Sequence, residues 1–321
     1  MEQTQIKNQN IILKFIQKHT IIFIAIVMVI VSSILSPDSF FTVGNFLNIL
    51  RNQSILGILA LGMSFVILTG EIDLQCGSQL VVVGLVILTV LNATTSIPLA
   101  IIAGVAVSVG ISAGTGFLIT KGKMPSFIAT LGLQLVLRSL AIFFMDARGV
   151  TGEVDAYQAF ANANVGGAVP MPIIIFAIMF IIFVFISKKT VLGRRIYAVG
   201  SNEKATKLCG INTDRVKIMA FVLLGIAIAV ASLTESSRMN SVNSSSTGNG
   251  YELTAIAMAV IGGISMQGGR GSLVGTLFGM LIYGIISNIL TIMGMHVYLV
   301  DCVKGALIIV AVLAQRKNTD Q

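Results

Sequence analysis

Stretches of about twenty apolar residues recur along the chain, and they constrain its fold more than any other feature. A helix needs about 20 apolar residues to cross a bilayer. Only 11% of the residues are charged, against about 25% in ordinary soluble proteins. We therefore predict an all-α fold, a polytopic transmembrane helical bundle of about ten spans (8–10). The candidate runs are 20–36, 49–69, 79–93, 97–120, 126–145, 170–187, 216–234, 253–264, 273–292 and 295–313.

The basic residues predict the orientation of these spans. Of the 21 lysines and arginines, Arg51, Arg148 and Arg238 fall in loops on one side, and Arg138 and Lys304 fall within spans. The remaining sixteen fall on the side that also holds both termini. Because loops rich in Lys and Arg stay in the cytoplasm, both termini are expected to be cytoplasmic. The net charge of +8 is thus explained by topology and predicts no nucleic-acid partner.

This topology divides the chain into three parts. Residues 1–19 form a cytoplasmic N-terminal segment, 20–313 a transmembrane domain, and 314–321 a cytoplasmic tail. The first apolar run is expected to remain as a helix, because Ser36-Pro37-Asp38 follows it without a signal-peptide cleavage pattern.

The sequence lacks the motifs of the common catalytic centres. It has no Gly-x-x-x-x-Gly-Lys-Ser/Thr phosphate loop, no His-Glu-x-x-His zinc motif and no Cys-x-x-Cys pair. We therefore predict a protein that is not an enzyme, holds no metal and binds no cofactor of its own.

Few ionisable residues lie inside the predicted spans, although ion-coupled carriers need them. Arg138 is one, and Asp301 with Lys304 form an i, i+3 pair on one helical face. An ion pair that fixes helix packing and a proton relay are both compatible with this spacing. Transport energy is expected to come from elsewhere.

The longest loop on the predicted cytoplasmic side, 188–215, contains a candidate docking helix. Residues 202–212 combine good helix formers with Gly210, which suits a left-handed C-cap. A short helix there could dock a cytoplasmic partner, and a solvated basic loop that only sets topology is the alternative. The docking residues would be Gly200, Asn202, Glu203, Ala205, Gly210 and Ile211.

Motifs along essentially the whole chain resemble the membrane subunit of bacterial ribose-type sugar importers of the ATP-binding-cassette class. They are Ile72-Asp73-Leu74 with Gly77-Ser78, Phe127-Ile128-Ala129-Thr130-Leu131, Leu192-Gly193-Arg194, Gly200-x-Asn202-Glu203, Gly250-Tyr251-Glu252-Leu253, Gly262-Gly263 and Gly268-Gly269. The Glu203-x-Ala205 start with its later glycine is similar to the Glu-Ala-Ala loop of such permeases.

The resemblance implies several partners. These are an ATPase subunit that binds ATP, a periplasmic sugar-binding protein, a second permease (as a homodimer or a heterodimer with a close paralogue) and the lipid bilayer. It also implies location in the bacterial inner membrane. The solute would be a pentose-like sugar such as ribose. Another pentose, a methylgalactoside or a furanose signal molecule remains an alternative, as do a self-sufficient secondary carrier and a membrane scaffold.

Four places depart from the family pattern. Glu71 stands where a small residue is usual, Gln75-Cys76 replaces a typical Ser-Val, Thr254 replaces an Asp, and Ile264 replaces a Thr. A second carboxylate beside Asp73 is expected to repel it and to be costly in the membrane.

Two regions, 62–84 and 250–275, are predicted to hold irregular backbone near the pathway. Spans 79–93 and 253–264 are short, and short or Gly-interrupted segments in corresponding halves point to a transport site. The polar stretch 235–252 would contact a neutral solute or a receptor, or be an ordinary flexible loop. The candidate pathway residues are Gly70, Asp73, Gly77, Ser78, Glu252, Gly262, Gly263, Gly268 and Gly269.

Overall fold

The computed structural model describes residues 20–296, 298–306 and 309. The predicted segments 1–19 and 314–321 lie outside the described residues. The helices are α1 (Thr20–Leu35), α2 (Pro37–Phe40), α3 (Val43–Leu68), α4 (Cys76–Thr94), α5 (Ile97–Lys121), α6 (Ser126–Phe144), α7 (Asp155–Asn162), α8 (Met171–Lys189), α9 (Val191–Ser201), α10 (Glu203–Leu208), α11 (Thr213–Met239), α12 (Tyr251–Ile261) and α13 (Leu273–Ile292). Residues 298–306 are also helical.

Seven helices in the described part of the chain are long and apolar enough to cross a membrane: α3, α4, α5, α6, α8, α11 and α13. The protein is therefore a multi-pass, mostly helical membrane protein. Helix α4, predicted to be short at 79–93, has 19 residues, so that expectation was wrong. Helix α12 has only 11 residues, or about 16 Å of helix, roughly half of the hydrocarbon thickness. The full count of ten spans stays a prediction.

Helices α3 and α11 form the centre of the bundle. Most of the second half of α3 is buried, and α11 packs against both α3 and α5. The contact is close because it uses small residues: a Cβ on Gly62 would stand 2.6 Å from Cβ of Ala227. Lipid tails are as apolar as the side chains, so such close packing stabilises membrane helices where hydrophobic burial cannot. By contrast, α5, α6 and α8 expose large apolar residues such as Ile102, Leu135 and Ile181.

Four short strands depart from the all-α prediction. Strand β1 (Gly149–Thr151) pairs antiparallel with β4 (Ser241–Asn243), and β2 (Asn164–Val165) pairs with β3 (Val169–Pro170). All four lie in the connections at the end of the bundle opposite the 188–215 loop. They tie those connections together and leave the helical core unchanged.

Helix α7 anchors the same end of the bundle. Its Tyr157 side chain is almost fully buried, and the hydroxyl lies 2.6 Å from Oγ of Ser236 on α11. Burial raises the pKa of Tyr157 to about 12. The phenol therefore stays protonated and keeps its hydrogen bond throughout the physiological pH range.

Two helices extend further than the hydrophobic pattern predicts. Helix α3 begins at Val43, six residues before the apolar run, because the Thr42 side chain caps it by accepting the Asn45 N–H at 3.2 Å. Helix α11 continues to Met239, so Glu235 is a buried helical residue and not the start of a loop. Its Oε1 accepts a hydrogen bond from the Tyr251 hydroxyl at 2.8 Å, which compensates for burying the carboxylate.

Candidate functional site

Between α3 and α4 the backbone is non-helical over residues 69–75, and Asp73 in this stretch is fully buried. Its Oδ1 accepts the Gln75 N–H at 2.9 Å, and its Oδ2 accepts Gln75 Nε2–H at 3.2 Å. The same amide nitrogen donates to Oγ1 of Thr115 on α5 at 2.7 Å. In a membrane protein, irregular backbone persists only where protein buries it or where it lines a water-filled cavity. This confirms irregular backbone in the first predicted region.

One helical turn further on, Gln79 extends the same polar network into the bundle. Its Nε2 donates to the backbone oxygen of Ser108 at 2.8 Å and to Oγ of Ser112 at 2.9 Å. The Ser108 hydroxyl in turn donates to the Gly225 carbonyl of α11 at 2.7 Å. Sequence reasoning missed this network. The available signal was the i, i+4 spacing of Gln75 with Gln79 and of Ser108 with Ser112 inside apolar runs.

A second irregular stretch, residues 244–250, enters the bundle from the opposite end. Arg138, twelve residues into α6, donates from Nη1 to the carbonyl oxygens of Ser244 at 2.9 Å and Thr247 at 2.8 Å. A guanidinium at that depth needs such acceptors, because charges inside a membrane are stable only when they are paired or hydrogen-bonded. Arg138 therefore holds 244–250 in place, and this part of the predicted 235–252 loop is a packed segment.

The two irregular stretches meet at Gly77. The Gly77 and Gly248 backbones approach so closely that a Cβ on Gly77 would overlap the Gly248 carbonyl oxygen, and it would stand 2.5 Å from Glu252 Oε2. Oε1 of Glu252 accepts a hydrogen bond from Gln134 Nε2 at 3.2 Å. Among the described residues, Oε2 of Glu252 and Oγ of Ser78 are buried without a hydrogen-bond partner. Asp73, Gly77, Ser78 and Glu252 thus lie close together, and their role in a pathway stays a prediction.

A second junction joins α3 to the loop 188–215, which we call the coupling loop. The Gly269 N–H donates to the Leu68 carbonyl at 2.9 Å. A Cβ on Gly200 would overlap the same carbonyl oxygen and stand 2.5 Å from the Gly269 nitrogen. Gly268 and Gly70 meet beside it, both with positive φ (84° each). Four predicted glycines from three separate motifs therefore form one backbone contact.

Gly262 and Gly263 have a different role from the glycines of that contact. They end α12, and a Cβ on Gly262 would stand 2.6 Å from Cα of Thr276 on α13. Gly262 therefore permits the close crossing of α12 and α13, from which residues 264–272 lead back to the junction.

The coupling loop contains two helices, α9 and α10. Helix α9 was not predicted. Helix α10 was predicted: its N-cap Asn202 accepts the Ala205 N–H at 2.9 Å, Glu203 lies in the first turn, and Gly210 follows with φ +78°. The side chain of Leu208 at its C-terminal end is 89% exposed. Ile211 is half-buried and packs against the core, so α10 projects from a fixed base.

The expected repulsion between Glu71 and Asp73 is resolved by a cation that the sequence analysis did not assign to this site. Lys217 Nζ, in the second turn of α11, lies 2.7 Å from Glu71 Oε1 and 2.8 Å from Glu203 Oε2. Glu71 is thereby paired with Lys217. The pairing could not be read from sequence because Glu71 and Lys217 are 146 positions apart.

Thr254 and Ile264, two further departures from the family pattern, are accommodated by local packing. Thr254 Oγ1 donates to the Gly250 carbonyl at 3.1 Å and lies 3.4 Å from the Tyr283 hydroxyl. Ile264 is fully buried in the main core.

The predicted Asp301–Lys304 ion pair is present, with Lys304 Nζ 3.1 Å from Asp301 Oδ1. The ion pair itself is confirmed, and its role in fixing helix packing stays a prediction. Within the described ranges, no group of three or more His, Cys, Asp or Glu residues could hold a metal ion.

Comparison with known proteins agrees with this architecture. Residues 45–312 match the family described as branched-chain amino acid transport system / permease component. The chain is 39% identical over 296 residues to the ribose import permease protein RbsC of Escherichia coli K12, covering 91% of this chain and 92% of that protein. It is 41% identical over 295 residues to RbsC of Bacillus subtilis 168, covering 91% of each.

A more distant relative carries a different substrate name. The L-arabinose transport system permease protein AraH of Escherichia coli K12 is 34% identical over 263 residues, covering 82% of this chain and 80% of that protein. No solved structure matches the chain.

Proposed function

Because this chain belongs to the branched-chain amino acid transport system / permease component family, we propose that it is the membrane subunit of an ATP-driven importer for ribose. The observation that carries the proposal is the junction of Leu68, Gly200 and Gly269. There a loop suited to docking a partner contacts the start of the irregular stretch 69–75 and the segment 264–272. Movement of that partner would therefore reach the interior of the bundle.

In this function the chain supplies the pathway and its partners supply energy and capture. A partner ATPase binds and hydrolyses ATP on the cytoplasmic side, against α10, and this chain needs no cofactor of its own. A periplasmic binding protein delivers the sugar at the opposite end, near 244–250. Two permease subunits related by a two-fold axis, identical or close paralogues, present two equivalent α10 helices to the ATPase pair.

The buried polar groups suit a neutral, hydroxyl-rich solute. Asp73, Glu252, Gln79 and Gln134 offer hydrogen-bond acceptors and donors. Such amides and carboxylates, together with the Arg138 guanidinium, are groups that can bind the hydroxyls of a sugar. A pentose fits the proposal best, since ribose and arabinose, the sugars in the names of these relatives, are both pentoses.

The proposal includes the placement of the chain in the inner membrane. Ten spans with both termini cytoplasmic would put the coupling loop on the ATPase side, consistent with the bias of basic residues. The transmembrane domain would extend over 20–313.

Reconstitution tests the function directly. Proteoliposomes holding the permease, its ATPase and its binding protein should accumulate radiolabelled ribose when ATP is inside the vesicles. Vesicles with the permease alone should accumulate none, because the chain has no phosphate loop. Accumulation by the permease alone, driven by a proton or sodium gradient, would establish a secondary carrier instead.

The relative named for arabinose favours one alternative solute. The same vesicles should therefore be offered ribose, arabinose and a methylgalactoside in competition. Preferential uptake of arabinose would leave the assignment as an ATP-driven importer unchanged and would identify arabinose as its substrate.

A further inference from the structure

Three charged side chains from three different elements meet at the base of the coupling loop. The ammonium of Lys217 on α11 contacts Glu71 in the irregular stretch 69–75 and Glu203 in the first turn of α10. The distances are 2.7 and 2.8 Å. Among the ion pairs of the described residues, neither carboxylate has a second cation.

Burial makes this contact different from an ordinary surface salt bridge. The side chains of Lys217 and Glu71 are only 13% and 14% exposed, whereas Glu203 is 46% exposed. An ammonium has three N–H donors and can serve both carboxylates at once. Water screens such a pair poorly, and removing one partner leaves the other charge buried without compensation.

The two carboxylates lie in segments with different proposed roles, Glu203 in the docking helix α10 and Glu71 in the irregular stretch 69–75. Glu203 begins α10, a rigid six-residue helix that projects from the base. Glu71 lies two residues before Asp73, in the stretch that leads to Gly77. The backbone of that stretch is also held by α6, where Ser126 Oγ accepts the Ile72 N–H at 3.2 Å.

We propose that Lys217 is a positioning residue that transmits movement of α10 to the irregular stretch 69–75, and so couples ATP hydrolysis to opening of the pathway. The proposal rests on the proposed function. When the ATPase displaces α10, Glu203 moves with it, and the shared ammonium draws Glu71 and the backbone before Asp73 in the same direction.

A second ion pair on α11 provides a matched control. Lys121 Nζ at the end of α5 lies 2.6 Å from Asp214 Oδ2 in the first turn of α11. Their side chains are 54% and 33% exposed. This pair has the same chemistry on the same helix, but among the described residues it forms no hydrogen bond or ion pair with α10 or with residues 69–75.

The experiment measures sugar transported per ATP hydrolysed, in proteoliposomes of the complete importer. Lys217→Gln and Glu71→Gln should each lower this ratio about tenfold, while the ATPase still co-purifies with the permease. Lys217→Arg should retain the ratio, since a guanidinium also serves two carboxylates. Lys121→Gln should leave it unchanged.

A double variant separates coupling from stability. Glu71→Gln with Lys217→Gln leaves no unpaired buried charge, so its melting temperature should return toward that of the unmodified protein. Its transport ratio should nevertheless remain low, because the link is absent. Recovery of the ratio together with the melting temperature would show that the contact only stabilises the fold, and would overturn the proposal.

Failure of the proposed function would look different. In that case the unmodified protein would show no ATP-dependent uptake with any sugar. A normal ratio in both single variants, with active unmodified protein, would contradict the role of Lys217 alone.

Discussion

At the scale of single residues, Gly200 is the position where the smallest change should do the most damage. Its Cα faces the Leu68 carbonyl and the Gly269 N–H, which are hydrogen-bonded to each other. Gly200→Ala should force this junction apart, at a cost of about 1–3 kcal/mol or more. We expect a lower melting temperature in detergent and loss of ATP-driven uptake.

Gly110 on α5 is the matched control for that substitution, because nothing lies within 4 Å of a Cβ built there. Gly110→Ala should be neutral or slightly stabilising, since Ala is the better helix former by about 0.5–1 kcal/mol. Equal losses in both variants would mean that helix glycines matter generally and that the junction has no special role.

Gly210 tests the backbone where α10 ends. Its φ is +78°, and nothing lies within 4 Å of a Cβ built there. A side chain at this position would therefore meet no steric clash, only the strain of the left-handed backbone conformation. Gly210→Val should cost about 1 kcal/mol or more in that conformation and tilt α10. We expect weaker co-purification of the ATPase with unchanged membrane insertion.

Asparagine tolerates the left-handed region better than a β-branched residue. Gly210→Asn should therefore keep ATPase association near the level of the unmodified protein. If both variants bind the ATPase normally, α10 is not the docking element.

At the scale of elements, the position of 244–250 depends on one side chain. Arg138 satisfies two carbonyls of that stretch, at 2.9 and 2.8 Å. Arg138→Leu should leave both oxygens without a donor inside the bundle, at about 1–3 kcal/mol each. We expect the melting temperature to fall by roughly 5 °C or more, measured on purified protein.

Arg51 gives a charge-matched comparison, because its longer hydrogen bond to Asn162 (3.3 Å) lies on the exposed surface. Arg51→Leu should lower the melting temperature little. A similar fall in both variants would point to loss of positive charge, not to release of the 244–250 stretch.

The apolar runs predicted the elements of the core well. The predicted runs 97–120 and 273–292 correspond to α5 and α13 within a residue at each end, because apolar length itself defines a span. The runs failed where capping or specific contacts decide the ends of a helix. Thr42 extends α3, and α11 continues past Glu235, whose Oε1 accepts a hydrogen bond from the Tyr251 hydroxyl.

The candidate site was predicted only in part, for a similar reason. The glycines of the junction could be predicted as candidate site residues, because glycines in short motifs indicate close backbone contacts. Lys217 could not, because its partners Glu71 and Glu203 come from other parts of the chain and no local spacing identifies it. Gln79 could have been found from its i, i+4 spacing with Gln75, but its partners Ser108 and Ser112 could not. Long-range pairing of polar groups requires the fold to be known first.

At the scale of the whole molecule, orientation in the membrane determines whether α10 can meet an ATPase at all. The exposed Cys209 follows α10 directly, whereas Cys76 is buried and Cys302 is exposed near the C-terminal end of the described chain. In a Cys302→Ser background, a membrane-impermeant maleimide should label Cys209 only after cells are permeabilised, because loops rich in Lys and Arg remain inside. Asn164 lies exposed at the opposite end of the bundle. In a variant that lacks Cys209 and Cys302, Asn164→Cys should therefore react with the same maleimide in cells whose inner membrane is intact, once the outer membrane lets the reagent through. Labelling of Cys209 in intact cells, with protection of the residue at position 164, would reverse the orientation and place α10 out of reach of a cytoplasmic ATPase.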